Sequence, residues 1–297
     1  MTRWLVTGAG GMLGRDLTDL LRGLGEPVTG VTRGELDITS ATAVSAAVDT
    51  LKPDVVVNCA AWTAVDDAET HEDAALAVNG HGAAHLAAAC RDLGASLVQL
   101  STDYVFDGTA REPYPEDAEP APRTAYGRTK LAGEQAVRAA LPDGSYIVRT
   151  AWLYGAHGPS FVAAMVRLAR AGASPAVVDD QHGQPTWTAD VARQIHALVA
   201  AGAPPGIYHA TSAGQTTWFG LAAEVFRLMA GAAGNSPERT VASPTPTTSA
   251  AYQRPAPRPA YSVLGHGAWA ASGIQPIGHW RDSLRQALPA ISADITT

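Results

Sequence analysis

Trp4-Leu-Val-Thr-Gly8-Ala-Gly10-Gly11-Met-Leu-Gly14 is the stretch on which the fold turns. Its first four residues are bulky or β-branched, which suits a buried strand. Gly8, Gly11 and Gly14 then fall three apart and lead into a Leu-rich helical run. The first amides of a helix have no intrahelical partner, and the helix dipole favours negative charge beside them. Side chains at the turn would hold an anion away from those amides, and a glycine at position 14 lets helix lie close to strand. A glycine triplet alone is a weak signal. Between a strand and a helix it points to the pyrophosphate of a dinucleotide.

Outward from this turn, strand-like runs at residues 4–7, 28–32, 54–58, 96–100 and 146–149 alternate with helical stretches at 11–24, 41–51, 72–93 and 125–141. Short, nearly continuous apolar strands separated by crossover-length helices predict an α/β fold with a doubly wound parallel sheet, covered on both faces. After Thr150 the pattern loosens into helices at 159–170, 188–201 and 218–229, short strands at 176–179 and 207–211, and a last helix at 280–287. Residues 231–259 carry too many prolines for a regular helix or a central strand, and read as a surface loop that either orders over substrate or serves as a mobile linker.

The chain has 297 residues, 46% hydrophobic and 16% charged, enough to bury a substantial core. No apolar run approaches the roughly 20 residues of a membrane span. The start runs almost directly into a strand, leaving no room for a secretory signal, so the cytoplasm is the expected location. A formal net charge of −7 without a basic run argues against a nucleic-acid partner. Cys59 and Cys90 read as two free thiols, and the nine histidines show no metal-ligand spacing.

The end of the second strand, Gly30-Val-Thr-Arg33-Gly, carries an arginine where an acid would hold a ribose hydroxyl. Arg33 is either a partner for a 2′-phosphate or a solvated loop residue; the reading points to NADPH with NADH open. Tyr126-Gly-Arg-Thr-Lys130 places a phenol and an ammonium on one helix face. A cation beside a phenol of ordinary pKa about 10 is expected to draw it toward neutrality, making it a proton donor to a developing alkoxide. Upstream, Leu100-Ser-Thr102-Asp103-Tyr104-Val-Phe106-Asp-Gly108 follows the fourth strand at the sheet's ligand-binding end, where the Thr102 hydroxyl either donates to a substrate carbonyl or, with Asp103, serves as a turn or helix cap.

With these residues in view the chain resembles the extended short-chain dehydrogenase/reductases, and within them the dTDP-4-dehydrorhamnose reductase family. The matching stretches run in order through nearly two-thirds of the chain: Thr7–Gly14, Glu35-Leu-Asp-Ile-Thr39, residues 54–66, Ser101-Thr-Asp-Tyr-Val-Phe-Asp-Gly108, Tyr126–Lys130, Val148-Arg-Thr-Ala-Trp-Leu-Tyr154 and Asp180-Gln-His-Gly-Gln-Pro-Thr186. The resemblance implies a Rossmann-type dinucleotide domain over 1–151, with 177–203 returning to it, and a smaller C-terminal α/β substrate domain over 152–297. It implies reduction by NAD(P)H of a dTDP-linked 4-keto-6-deoxy sugar, with a homodimer as an open option. By that likeness Tyr126 donates the proton and Lys130 supports it and the cofactor ribose. Thr102, Asp103, Tyr104 and Trp152 meet the sugar. Gly8, Gly11, Met12, Leu13 and Gly14 meet the pyrophosphate, Asp37 and Ile38 flank the adenine, and Ala61, Trp62 and Thr63 line the cofactor path. Two places depart from the family pattern: Trp62, where a smaller aromatic or His is usual, and Tyr261 within Arg258-Pro-Ala-Tyr-Ser262-Val-Leu264. Another nucleotide-linked 4-keto-6-deoxyhexose, or a non-catalytic regulatory subunit of the same fold, is the alternative.

Several charged residues lie outside these motifs. Arg254 and Arg258 are either diphosphate ligands or loop arginines. Asp66, Asp67 and Glu69 read as a solvated helix start, and Arg149 as structural. His182 and His209 are expected at loop or strand-edge positions.

Overall fold

The computed structural model describes residues 1–232 and 242–295. Its first half runs β1 (Trp4–Thr7), α1 (Met12–Gly23), β2 (Val28–Val31), α2 (Ala41–Leu51), β3 (Val55–Asn58), two short helices α3 (Val65–Ala68) and α4 (Glu72–Leu76), a π-helical stretch at Ala77–His81, α5 (Gly82–Leu93), β4 (Ser96–Thr102), α6 (Ala125–Ala140) and β5 (Ser145–Thr150). Then follow β6 (Leu153–Tyr154), α7 (Phe161–Arg170), β7 (Ala176–Val178), β8 (His182–Gly183), β9 (Thr186–Trp187), α8 (Thr188–Ala200), β10 (Gly206–His209), β11 (Thr216–Thr217), α9 (Trp218–Ala232), β12 (Thr245–Thr247), α10 (Gly267–Ala271) and α11 (Trp280–Asp294).

Six parallel strands form the main sheet in the order β10-β5-β4-β3-β1-β2. Alternate side chains of each strand feed two different cores, which is why the strands read as continuous apolar runs. Val6, Val57, Val98 and Val148 pack with Leu17 of α1 and Ile195 of α8. Leu5, Val56, Leu97 and Ile147 pack on the other face with Val44 of α2 and Leu86 of α5. The doubly wound parallel sheet is as expected. A separate cluster joins α7, α9 and α11 through Val166, Val225, Trp280 and Leu284. Helix α8 returns to the main sheet and packs on α1. Strand β10 also joins that sheet, past the 177–203 return expected, because its buried Tyr208 and His209 continue the edge beside β5.

Three expectations change in detail. The single helix over 72–93 is interrupted by the π-helical stretch at Asn79-Gly80, where the buried Asn79 side chain is used elsewhere. Helix α11 continues past 287 with Pro289 inside it; buried Leu288 and Ile291 hold the extra turns despite the lost backbone donor. In the proline-rich stretch, 233–241 lie outside the described residues, but 242–259 are more than a surface loop. Residues Thr245–Thr247 pair in parallel with β7, and the Ser249 N–H and hydroxyl both donate to Asp180. Pro246 is tolerated there because this two-stranded pairing has an open edge.

Between α6 and the sheet lies an ion pair with almost no solvent contact. Arg149 donates through Nε (3.0 Å) and Nη2 (2.7 Å) to Glu134, whose side chain also accepts from the Ser101 hydroxyl. The two side chains are 1% and 3% exposed. Removing one partner leaves a bare buried charge, whereas replacing both with apolar groups does not. Arg149→Met is therefore expected to lower stability by about 3–5 kcal/mol in urea unfolding. Adding Glu134→Leu is expected to recover most of that loss; no recovery would contradict this account of the pair.

Candidate active site

The glycine turn folds as its sequence predicts. A Cβ on Gly14 would stand 2.3 Å from the Gly8 carbonyl oxygen, so nothing larger than glycine fits. Gly8 has φ +65, a conformation costly for other residues. Gly11 precedes α1 in an extended conformation; no side chain caps the helix and no acid lies in its first turn. Its first amides are thus left for an anion. Met12 lines the adjoining cleft, whereas Leu13 is buried in the core and offers only its backbone.

Beyond β2, Arg33 and Asp37 are exposed and Ile38 is buried under α5, with its carbonyl 3.1 Å from His85 Nδ1. Asp37 accepts from the Thr39 N–H and hydroxyl, which hold its carboxyl below the usual range. Glu35, an acid on this same turn, accepts from the Thr32 N–H and hydroxyl, both at 2.8 Å. It is occupied as a turn brace and stays ionised, so Arg33 shares this turn with two carboxylates.

Helix α6 starts at Thr124, whose hydroxyl accepts from the Gly127 N–H at 3.0 Å. Gly127 admits the close approach that follows: a Cβ there would sit 2.2 Å from the Tyr104 carbonyl oxygen. This seats the first turn of α6 on the end of β4. Tyr126 faces a cleft of roughly 710 Å³ together with Met12, Thr63, Thr102, Asp103, Tyr104, Trp152, Arg254 and Arg258. The rings of Tyr104 and Tyr126 meet edge to face at 5.6 Å.

Lys130, one turn on, is buried and does not line the cleft. Its Nζ donates to the Leu100 carbonyl at 2.5 Å. That carbonyl also accepts from Gln99, which closes a buried ladder from Thr7 through Asn58 across three strands. Burial pushes the Lys130 ammonium down to about 8, with Glu134 opposing the shift. The expected fall of the Tyr126 pKa toward neutrality is not found. Burial pushes the phenol up to about 12, with Thr102 pulling it partly back. The ammonium is spent on Leu100, so desolvation outweighs it.

At the end of β4, the Thr102 hydroxyl donates to Asp103 Oδ1 (3.0 Å) and accepts from the Tyr104 N–H (3.2 Å). Burial pushes the Asp103 carboxyl up to about 6. The buried Ser262 hydroxyl beside it and the Thr102 hydroxyl pull that value partly back. Trp152 takes φ +48 and stacks on Trp218 at 3.6 Å, forming an aromatic wall.

Other expectations resolve differently. Ala61 and Trp62 do not line this cleft, although Thr63 does. Arg258 faces the cleft but is paired with Asp66. The acidic cluster is not simply solvated: Glu69 accepts from the Ala125 N–H at the start of α6, and Asp67 pairs with His71. His209 ends the edge strand β10, as expected, but is fully buried there, with its Nδ1 at 3.0 Å from the Gly265 carbonyl. Burial, aided by Arg149, pushes it down to about 3. His182 is exposed, and Cys59 and Cys90 are free thiols. Among the described residues, no group of three or more His, Cys, Asp or Glu is arranged to hold a metal ion, and no helix is long and apolar enough to cross a membrane.

The model of the RmlD substrate binding domain matches residues 2–292. This chain belongs to the dTDP-4-dehydrorhamnose reductase (RmlD) family. A dTDP-4-dehydrorhamnose reductase of Streptomyces griseus is 58% identical over 97% of this chain and 94% of that protein. A dTDP-4-keto-6-deoxy-D-glucose reductase of Streptomyces niveus is 56% identical over 98% of both. The crystal structure of dTDP-4-dehydrorhamnose reductase from Bacillus anthracis in complex with NADP is 35% identical, with a TM-score of 0.90 over 97% of this chain and 99% of that one.

Within this RmlD-family chain, two functional supports went unread in the sequence. Asn79 accepts from the Trp62 N–H (2.9 Å) and donates to the Trp62 carbonyl (3.1 Å) and to Thr129 on α6 (3.1 Å). It joins the strip after β3 to the helix of Tyr126; its only signal was an Asn-Gly pair inside a helical run. Gln184 donates to the Ser212 and Leu264 carbonyls and accepts from Thr211 and the Leu264 N–H, pinning the C-terminal segment behind the cleft.

Lys130 carries a pH prediction. From about pH 8 to 10.5 the unfolded chain holds a proton that the folded chain has lost, so stability rises with pH across that window. Lys130→Met removes this term. Its stabilising effect is expected to be full near about pH 7 and to shrink by about pH 10 in urea unfolding. A pH-independent difference would mean that Lys130 keeps its ordinary pKa.

Proposed function

We propose that this chain reduces the C4 keto group of dTDP-4-dehydro-L-rhamnose to dTDP-L-rhamnose, using NADPH and accepting NADH. The observation that carries the reading is one cleft holding Tyr126, Thr102 and Asp103 at the carboxyl end of the parallel sheet. The uncapped helix start and glycine cradle beside Met12 fit a pyrophosphate. When bound there, the reduced nicotinamide supplies the hydride.

Tyr126 donates its proton to the C4 oxygen as negative charge develops, a step that a phenol protonated at neutral pH is ready to make. Thr102 and Asp103 orient that oxygen and its neighbouring hydroxyl, and Trp152 closes the sugar side. Lys130, held on the Leu100 carbonyl, braces the helix turn that presents Tyr126. Arg33, exposed just beyond the end of β2, supports NADPH. The free thiols fit a reducing cytoplasm.

A second reading, reduction of a different dTDP-linked 4-keto-6-deoxyhexose, is favoured by the likeness to the S. niveus protein and by Trp62 and Tyr261 near the site. A panel of such sugars with NADPH and NADH separates the two. Tyr126→Phe is expected to keep NADPH affinity and lose at least about 100-fold in turnover. Near-normal turnover would remove Tyr126 as the acid. Arg33→Ala is expected to raise the KM for NADPH but not for NADH; equal effects on both would remove the 2′-phosphate role.

A further inference from the structure

We propose that Asp66 is a positioning residue for the nucleotide sugar: it fixes the Arg258 guanidinium so that one free edge takes the diphosphate. The inference rests on the substrate reading above. Asp66 lies on α3, just after the strip that follows β3. Arg258 lies 192 residues away, in the proline-rich segment that lines the cleft.

The geometry divides the guanidinium in two. Nη1 donates to Asp66 Oδ1 at 2.8 Å and to the Ala256 carbonyl at 2.9 Å, and Nη2 donates to Asp66 Oδ2 at 2.9 Å. The Ala256 N–H closes the ring on Asp66 Oδ1 at 3.2 Å. A guanidinium has five N–H groups. The two left over are Nε–H and the second Nη2–H, which share one edge, the fork that matches two phosphate oxygens. Pro257 and Pro259 flank Arg258 and stiffen its backbone. Arg254 lines the same cleft, with its Nη2 donating to the Tyr252 hydroxyl. In a chain of net charge −7 the anion needs such a local site. Without Asp66, Arg258 would have to be ordered at the moment of binding, a cost that appears in affinity.

Asp66→Asn keeps the shape and removes the charged two-oxygen clamp. The expected result is a rise in KM for the keto-sugar nucleotide of about tenfold, with kcat and the Kd for NADPH within about twofold. Calorimetry with dTDP alone reads the same edge without turnover and is expected to show a similar loss. Arg258→Lys keeps the charge but not the fork. It is expected to weaken dTDP alone to a similar degree, with little further loss when Asp66→Asn is added. An unchanged or lower KM, additive losses in the double variant, or no dTDP binding by the unaltered protein would overturn the proposal. Failure of every keto sugar to turn over, with dTDP bound and weakened by Asp66→Asn, would instead overturn the substrate reading alone.

Discussion

The seating of α6 against the end of β4 is the constraint on which the site depends. Gly127 removes the side chain that would meet the Tyr104 carbonyl, and Lys130 reaches the Leu100 carbonyl from the same helix. Burying an ammonium is costly, and the depressed Lys130 pKa records that cost. The fold accepts it because the carbonyl at the strand end is already held by Gln99, and because Glu134 lies on the same helix. Helix and strand are thereby locked in one register, and Tyr126 and Thr102 face the same space.

Around this contact, buried polar side chains do the work of alignment. The Thr7–Asn58–Gln99 ladder ties the strand of the glycine turn to the strand of Thr102. Asn79 joins the strip at Trp62 to Thr129, and Arg149 with Glu134 ties β5 to α6. Such groups are costly when left half-satisfied, so they specify one arrangement more sharply than apolar packing does. The same logic joins Asp66 and Arg258, where the proline-rich segment meets the helix after β3.

Local causes made much of this legible in the sequence. The glycine turn, the apolar strands and the Tyr126–Lys130 spacing each follow from steric room or periodicity within a few residues, and the strands and helices of the first half fall within a few residues of the expected bounds. What escaped notice depends on distant partners. Asp66 reads as a solvated acid until Arg258 is folded against it, and His209 reads as a surface residue until the segment at Gly265 covers it. The phenol pKa was misjudged for a related reason. Spacing places an ammonium on the same helix face but does not reveal that the Leu100 carbonyl has claimed it.

The central claim is that a hydride reaches the sugar C4 beside Tyr126. The direct measurement is the fate of deuterium from NADPH labelled at the transferable C4 position, followed by mass spectrometry and NMR of the sugar nucleotide. The account predicts one deuterium bonded to C4 of the reduced hexose. Reduction in which the label stays on the cofactor, or C4 hydrogen drawn from solvent, would contradict it.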